Sequence, residues 1–145
     1  MAADSVLQAL EDLISSYRGT GEPLAVFVSV NNSSVQAGEE GKFPYLLLSS
    51  GSQRLILNAA ASKLHSVPIT ISVYGNSRQA TRTAMQTLKN TIEPVLDDVP
   101  VLSELVTSDS VQIYAAEEVD TTASRVADRV WVSRWNLEFG TRTVK

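Results

Sequence analysis

The 145-residue sequence predicts an α+β fold: a mostly antiparallel β-sheet with an N-terminal helix and a longer central helix packed on it. Three observations carry that expectation. Two segments repeat apolar residues every three or four positions, as one side of a helix requires, and several others alternate apolar and polar residues, as a half-buried strand requires. No internal repeat stands out, and no stretch is long or polar enough to act as a linker. Residues 1–145 are therefore expected to form one domain.

In chain order, Val6, Leu7, Leu10, Leu13, Ile14 and Tyr17 give residues 4–17 an apolar helical side. Asp4 is placed to cap this helix and the glycines at 19–21 to stop it. Residues 24–30 read as a strand with Leu24, Val26, Val28 and Val30 in phase, and 31–41 as a polar loop. Residues 43–48 read as a second strand entered through Pro44, with 53–58 as a short partner to it. The patch 59–65 fits a helical turn or a loop. Residues 67–74 alternate cleanly: Val67, Ile69, Ile71 and Val73 share one face, Thr70, Ser72 and Tyr74 the other. Pro68 is expected at an edge or at that strand's beginning, because it donates no ladder hydrogen bond.

Gly75, Asn76 and Ser77 then turn the chain into a helix over roughly 78–92, ending before Pro94, with Ala80, Ala84, Met85, Leu88 and Ile92 as its apolar stripe. Residues 95–106 form a shorter segment broken by Pro100. Residues 111–115 read as a strand, and 117–127 as a connection of undecided type. The closing strand, 129–139, carries Trp131, Trp135, Leu137 and Phe139 on one face with Ser133 between them, and most of that face is expected to be core.

Composition narrows the chemistry. Apolar residues make up 43% of the chain and charged residues 19%, which excludes a wholly disordered or collagen-like chain. With no cysteine, there is no disulfide, thiolate nucleophile or thiolate metal site, and one histidine, His65, leaves little material for a metal centre. No apolar run has the length of a bilayer span, and the start MAADSVLQ has neither the basic head nor the hydrophobic stretch of an export signal, so a soluble protein is expected.

The net charge of −4 is unevenly spread. Between positions 93 and 120 stand eight acidic residues (Glu93, Asp97, Asp98, Glu104, Asp109, Glu117, Glu118 and Asp120) and no basic one, whereas 125–145 hold five basic residues against two acidic. These stretches read as solvated faces, as complementary surfaces on neighbouring copies, or as one face kept negative. Arg78, Arg82 and Lys89 add a basic stripe to the central helix. It has no interleaved aromatics for base stacking, so sequence-specific DNA reading is not expected.

No cofactor site, metal site or catalytic constellation emerges. The segment GEEGKF at 38–43 lacks the glycine spacing of a phosphate-binding loop and has Phe43 where a magnesium-binding hydroxyl belongs. The adjacent carboxylates Glu39-Glu40, Asp97-Asp98 and Glu117-Glu118 point apart on any regular element. His65 has no serine in a glycine-framed elbow to work with.

Four stretches together resemble the tail terminator (tail completion, head–tail joining) family of long-tailed bacteriophages: VLQALEDLISSY, FPYLLLSSG, VPITISVYGNSRQATRTAMQTLKNTI and VWVSRWNLEFG. They span most of positions 6–140, and the likeness is one of layout, without a motif fixed by chemistry. The resemblance implies a small structural virion protein and not an enzyme. Such a protein forms a homohexameric ring that caps the tail tube, stops its polymerisation and meets the head connector or stopper protein. Its place would be the head-proximal end of the virion tail, after assembly in the host cytoplasm, with DNA passing through without specific binding and no membrane involved. On that reading Arg78, Arg82 and Lys89, or Arg129, Arg134 and Arg142, are candidates for the subunit interface. The eight acidic residues are candidates for the channel lining. The competing expectations are a small α+β enzyme of hydrolase type using His65 with an acidic residue, and a monomeric binding module with one exposed apolar patch.

Overall fold

The computed structural model describes residues 2–17, 25–28, 45–98, 111–127 and 129–144. The elements are α1 (Ala2–Tyr17), β1 (Ala25–Val28), β2 (Tyr45–Ser50), β3 (Arg54–Asn58), β4 (Ser62–Gly75), α2 (Arg78–Leu96), β5 (Val111–Ala127) and β6 (Val130–Val144). One sheet runs β1-β2-β4-β6-β5, with β3 also paired to β4. Only β1 and β2 are parallel. The α+β architecture and both helices are as the sequence predicts. The glycines at 19–21, the polar loop at 31–41, the phosphate-loop-like segment at 38–43 and the stretch 99–106 lie outside the described residues.

Alternation sets the two faces. Val67, Ile69, Ile71 and Val73 of β4 and Trp135, Leu137 and Phe139 of β6 point to one side. There they meet Val6, Leu7, Leu10 and Leu13 of α1 and Met85, Leu88, Ile92 and Leu96 of α2. Burying this continuous apolar layer is the main stabilising term. The opposite face is polar along most of its length, with a small apolar cluster of Tyr74, Val130 and Val132 at one end. Trp131, expected in the core, is only half-buried. The second tryptophan, Trp135, is the one the core encloses.

Several boundaries differ from the sequence expectation. Helix α1 begins at Ala2, so Asp4 stands inside its first turn and not at the position before it. The two alanines are strong helix formers and extend the helix upstream. Helix α2 continues through Pro94 to Leu96. In the last turn the proline removes a single backbone donor, while Leu96 gains a buried position and the Asp97 N–H closes the end on Glu93 O at 2.9 Å. In its stripe Thr81 is buried and Ala80 exposed. At its start the Ser77 hydroxyl accepts from Ala80 N–H at 3.1 Å, a capping bond worth about 1 kcal/mol.

Strand β3 does not pair with β2. Both run antiparallel to β4 along the same flank, β2 against 69–74 and β3 against 63–66, so the chain passes from one to the other without reversing. Pro68 faces the gap between them. It lies inside β4, not at an edge strand or a strand start, because nothing on that flank needs its N–H. Its carbonyl accepts from Gly51 N–H at 3.0 Å, and a Cβ on Gly51 would stand 2.9 Å from the Pro68 ring. The patch 59–65 resolves into a tight turn, Ala59 N–H to Ser62 O at 2.9 Å, and the first residues of β4.

The region 117–127 is strand: β5 follows β6 over its full length. Its register slips three times, at Ile113/Ala115, Glu118/Asp120 and Arg125/Ala127. The extra residues at those slips, Tyr114, Val119 and Val126, are all exposed. Such bulges break the two-residue period that marks a strand in sequence. The β5–β6 turn holds Arg129 at φ 62°, a left-handed conformation.

Candidate functional site

Helix α2 is the element that organises charge. It lies over β6 beside β5, and its stripe of Thr81, Met85, Leu88, Ile92 and Leu96 faces down, so the polar residues flanking the stripe overhang the sheet. Two grooves follow the seam. The first, about 180 Å³, is lined by Arg78, Arg82 and Lys89 together with Thr121, Thr122 and Trp131. The second, about 260 Å³, is lined by Glu93, Asp97, Glu117 and Glu118 over Trp135 and Leu137. One seam therefore carries a basic half and an acidic half.

Lys89 stands where they meet. Its Nζ lies 3.0 Å from Glu118 Oε1 and 5.3 Å from the centre of the Trp135 ring, and it also donates to Thr121 Oγ1. The Thr121 hydroxyl in turn donates to Glu118 Oε1 at 3.0 Å. The Lys89 ammonium, donating to Glu118 and adding its charge, and the Thr121 hydroxyl hold the Glu118 carboxyl below its ordinary value of 4.5, against a small opposing effect of burial. Lys89 thus makes its ion pair inside the chain, whereas Arg78 and Arg82 project from the exposed side of the helix.

This geometry has a pH consequence. A carboxylate whose pKa is lowered in the folded state adds stability above its ordinary pKa and loses that contribution as pH falls through the lowered value. Glu118 is 44% exposed, so solvent screening keeps the effect to about 1 kcal/mol or less. Glu118→Gln is expected to melt below the parent at pH 7. The gap should close once the pH has fallen through the lowered value, as thermal unfolding at neutral and at strongly acidic pH would show.

The remaining sequence candidates separate. Asp120 lies on the polar face, where it accepts from Asn136 Nδ2 at 2.5 Å. Asp98 is exposed just past α2, and Glu104 and Asp109 lie outside the described residues. The six described acidic residues thus do not form one wall. Arg134 is half-buried opposite Ser72 and Thr122, Arg142 is exposed opposite Leu64 and Gln112, and Arg129 sits in the β5–β6 turn.

The polar face holds groups the sequence reading passed over. Thr70 Oγ1 donates to Asn136 Oδ1 at 2.9 Å, and Ser66 Oγ donates to Glu138 Oε1 at 2.8 Å. Their signal was present as the polar half of the alternation in β4 and β6. His65 stands between Leu55 and Thr141 across the sheet, with no carboxylate directly opposite. Its Nδ1 and the Thr141 hydroxyl have no hydrogen-bond partner among the described residues. No group of three or more histidine, aspartate or glutamate side chains that could hold a metal occurs among those residues.

No protein-family model and no curated protein matches this chain. Solved structures share its fold. A chain from the virion of a native gene transfer agent particle aligns over 97% of this chain and 92% of its own, with 17% identity and a TM-score of 0.51. A second solved structure aligns over 100% of this chain and 96% of its own, with 15% identity and a TM-score of 0.50. At these identities the likeness establishes the common fold.

Proposed function

We propose that this chain is a structural protein of a phage-like particle: a tail terminator that forms a ring, caps the tail tube and meets the head connector. The observation that carries this reading is the fold shared over nearly the whole chain with a protein of a gene transfer agent virion. It is supported by the charged grooves along α2, which suit docking to protein surfaces. The ring is read as a homohexamer at the head-proximal end of the tail, assembled in the host cytoplasm, with the tube protein on one side and the connector or stopper on the other.

Within the ring, Arg78 and Arg82, and the basic end around Arg129, Arg134 and Arg142, are proposed to meet acidic surface on an adjacent copy. Lys89 is left out of that set because it is paired internally. The channel lining is assigned to the polar face, with Asp120 and Glu138 as its carboxylates, and DNA would pass it without specific contacts. Glu93, Asp97, Glu117 and Glu118 border α2 instead.

The test is genetic and visual. Particles made without this protein are expected to show tubes of uneven length, detached from filled heads, by electron microscopy. Complete particles of normal length would overturn the assignment.

A further inference from the structure

Among the described residues the sheet has two unpaired edges of opposite character. On the first, β1 covers β2 only from Tyr45 to Leu48, so no described strand pairs with the outer side of residues 49–58. This edge ends in Leu55, Ile56 and Leu57, which are 50%, 53% and 53% exposed. Arg54 lies beside them, and Lys63 stands opposite Asn58 on β4. On the second edge, residues 117–126 of β5 are all exposed, with Val119 at 59% among Glu117, Glu118 and Asp120. Exposed apolar edge strands of this kind recruit another chain unless something covers them.

We propose that these edges cover each other: the β5 edge of one copy adds to the β2–β3 edge of the next, continuing the sheet from subunit to subunit. The occupant is a second copy because each edge supplies what the other lacks. With residues 49–58 laid antiparallel against 117–126, Ile56 stands opposite Val119. Apolar side chains then meet in the middle, with Arg54 and Lys63 near Glu117 and Asp120. Direction agrees as well. Strands β3, β4, β6 and β5 alternate in direction and are even in number, so repeating them makes the new pair antiparallel like the rest.

The register agrees with a closed ring. Ile56 stands level with the step between Thr141 and Arg142 on β6, and Val119 with the step between Asn136 and Leu137, five residues away. Five residues at about 3.3 Å, against four strand spacings of about 4.8 Å, give a strand tilt of about 41°, inside the usual range for barrels. The sense of the offset is also constrained. Pro68 points to the polar face while its carbonyl meets the Gly51 flank, so the order seen from the helix side, with β4 upward, is β3-β4-β6-β5 from left to right. With the helices outside, the offset then has the right-handed sense that twisted strands impose, and the polar face turns inward.

This inference rests on the ring reading and adds its lateral joint. The chain has no cysteine, so Ile56→Cys with Val119→Cys creates the only thiols. Within one copy β4 and β6 separate the two sites by three strand spacings, about 14 Å, too far for an internal disulfide. Mild oxidation of the double variant is expected to give a reducible ladder of multimers. Mixing the two single variants should stop at dimers. Ile56→Lys with Leu57→Lys should remain folded by circular dichroism and lose the multimers. Rings of the double-cysteine variant whose thiols fail to cross-link on oxidation, or rings that survive the lysine substitutions, would overturn the joint while leaving the ring. Absence of any association would overturn both.

Discussion

Trp135→Ala is expected to lower the unfolding free energy by about 3–5 kcal/mol, a large share of the stability of a domain of this size. The side chain is 1% exposed in the second strand of the sheet's centre, directly across from Ile71. It also carries the Lys89 ammonium over its ring. Truncation would open a cavity under α2 and release Lys89 from one of its contacts, so the loss exceeds the apolar area alone. Trp135→Phe keeps most of the volume and should cost much less. Urea unfolding of both variants separates the two cases. Equal losses would mean that the indole is not the centre of the core.

Gly75→Ala is the second large effect, about 1–3 kcal/mol, from crowding at the turn between β4 and α2. An added Cβ would collide with Thr81 Oγ1 and approach Thr81 Cα and Cβ to 3.3 Å. The Thr81 hydroxyl cannot simply swing away, because it donates to Ser77 O at 2.7 Å beside the helix cap. Combining Gly75→Ala with Thr81→Ala removes the nearest atoms. Denaturation of the four proteins in a double-mutant cycle should show the pair less destabilised than the sum of the singles. Strict additivity would contradict the proposed clash.

What could be read from sequence follows the periodicity. Helices α1 and α2, the inner face of β4 and the aromatic end of β6 are legible because each buries one face and so repeats at the period of its backbone. Residues 117–127 are not, because β5 is an edge strand with both faces exposed and three bulges that shift its phase. The partner of β3 is not legible either. Gly51 resembles the start of a hairpin turn, but its close approach to Pro68 carries the chain straight on. The basic stripe of Arg78, Arg82 and Lys89 was visible in α2. The pairing of Lys89 with Glu118 joins residues 29 apart in sequence and depends on how α2 lies on the sheet. The open edges, likewise, exist only once the strand order is known.

On the function proposed above, this chain works by assembling with itself. Analytical ultracentrifugation across rising concentrations, with negative-stain imaging of the largest species, tests it most directly. The predicted result is a ring with a central hole and a mass of about 94 kDa, six chains of 15.7 kDa. A folded monomer that persists to millimolar concentration would contradict it.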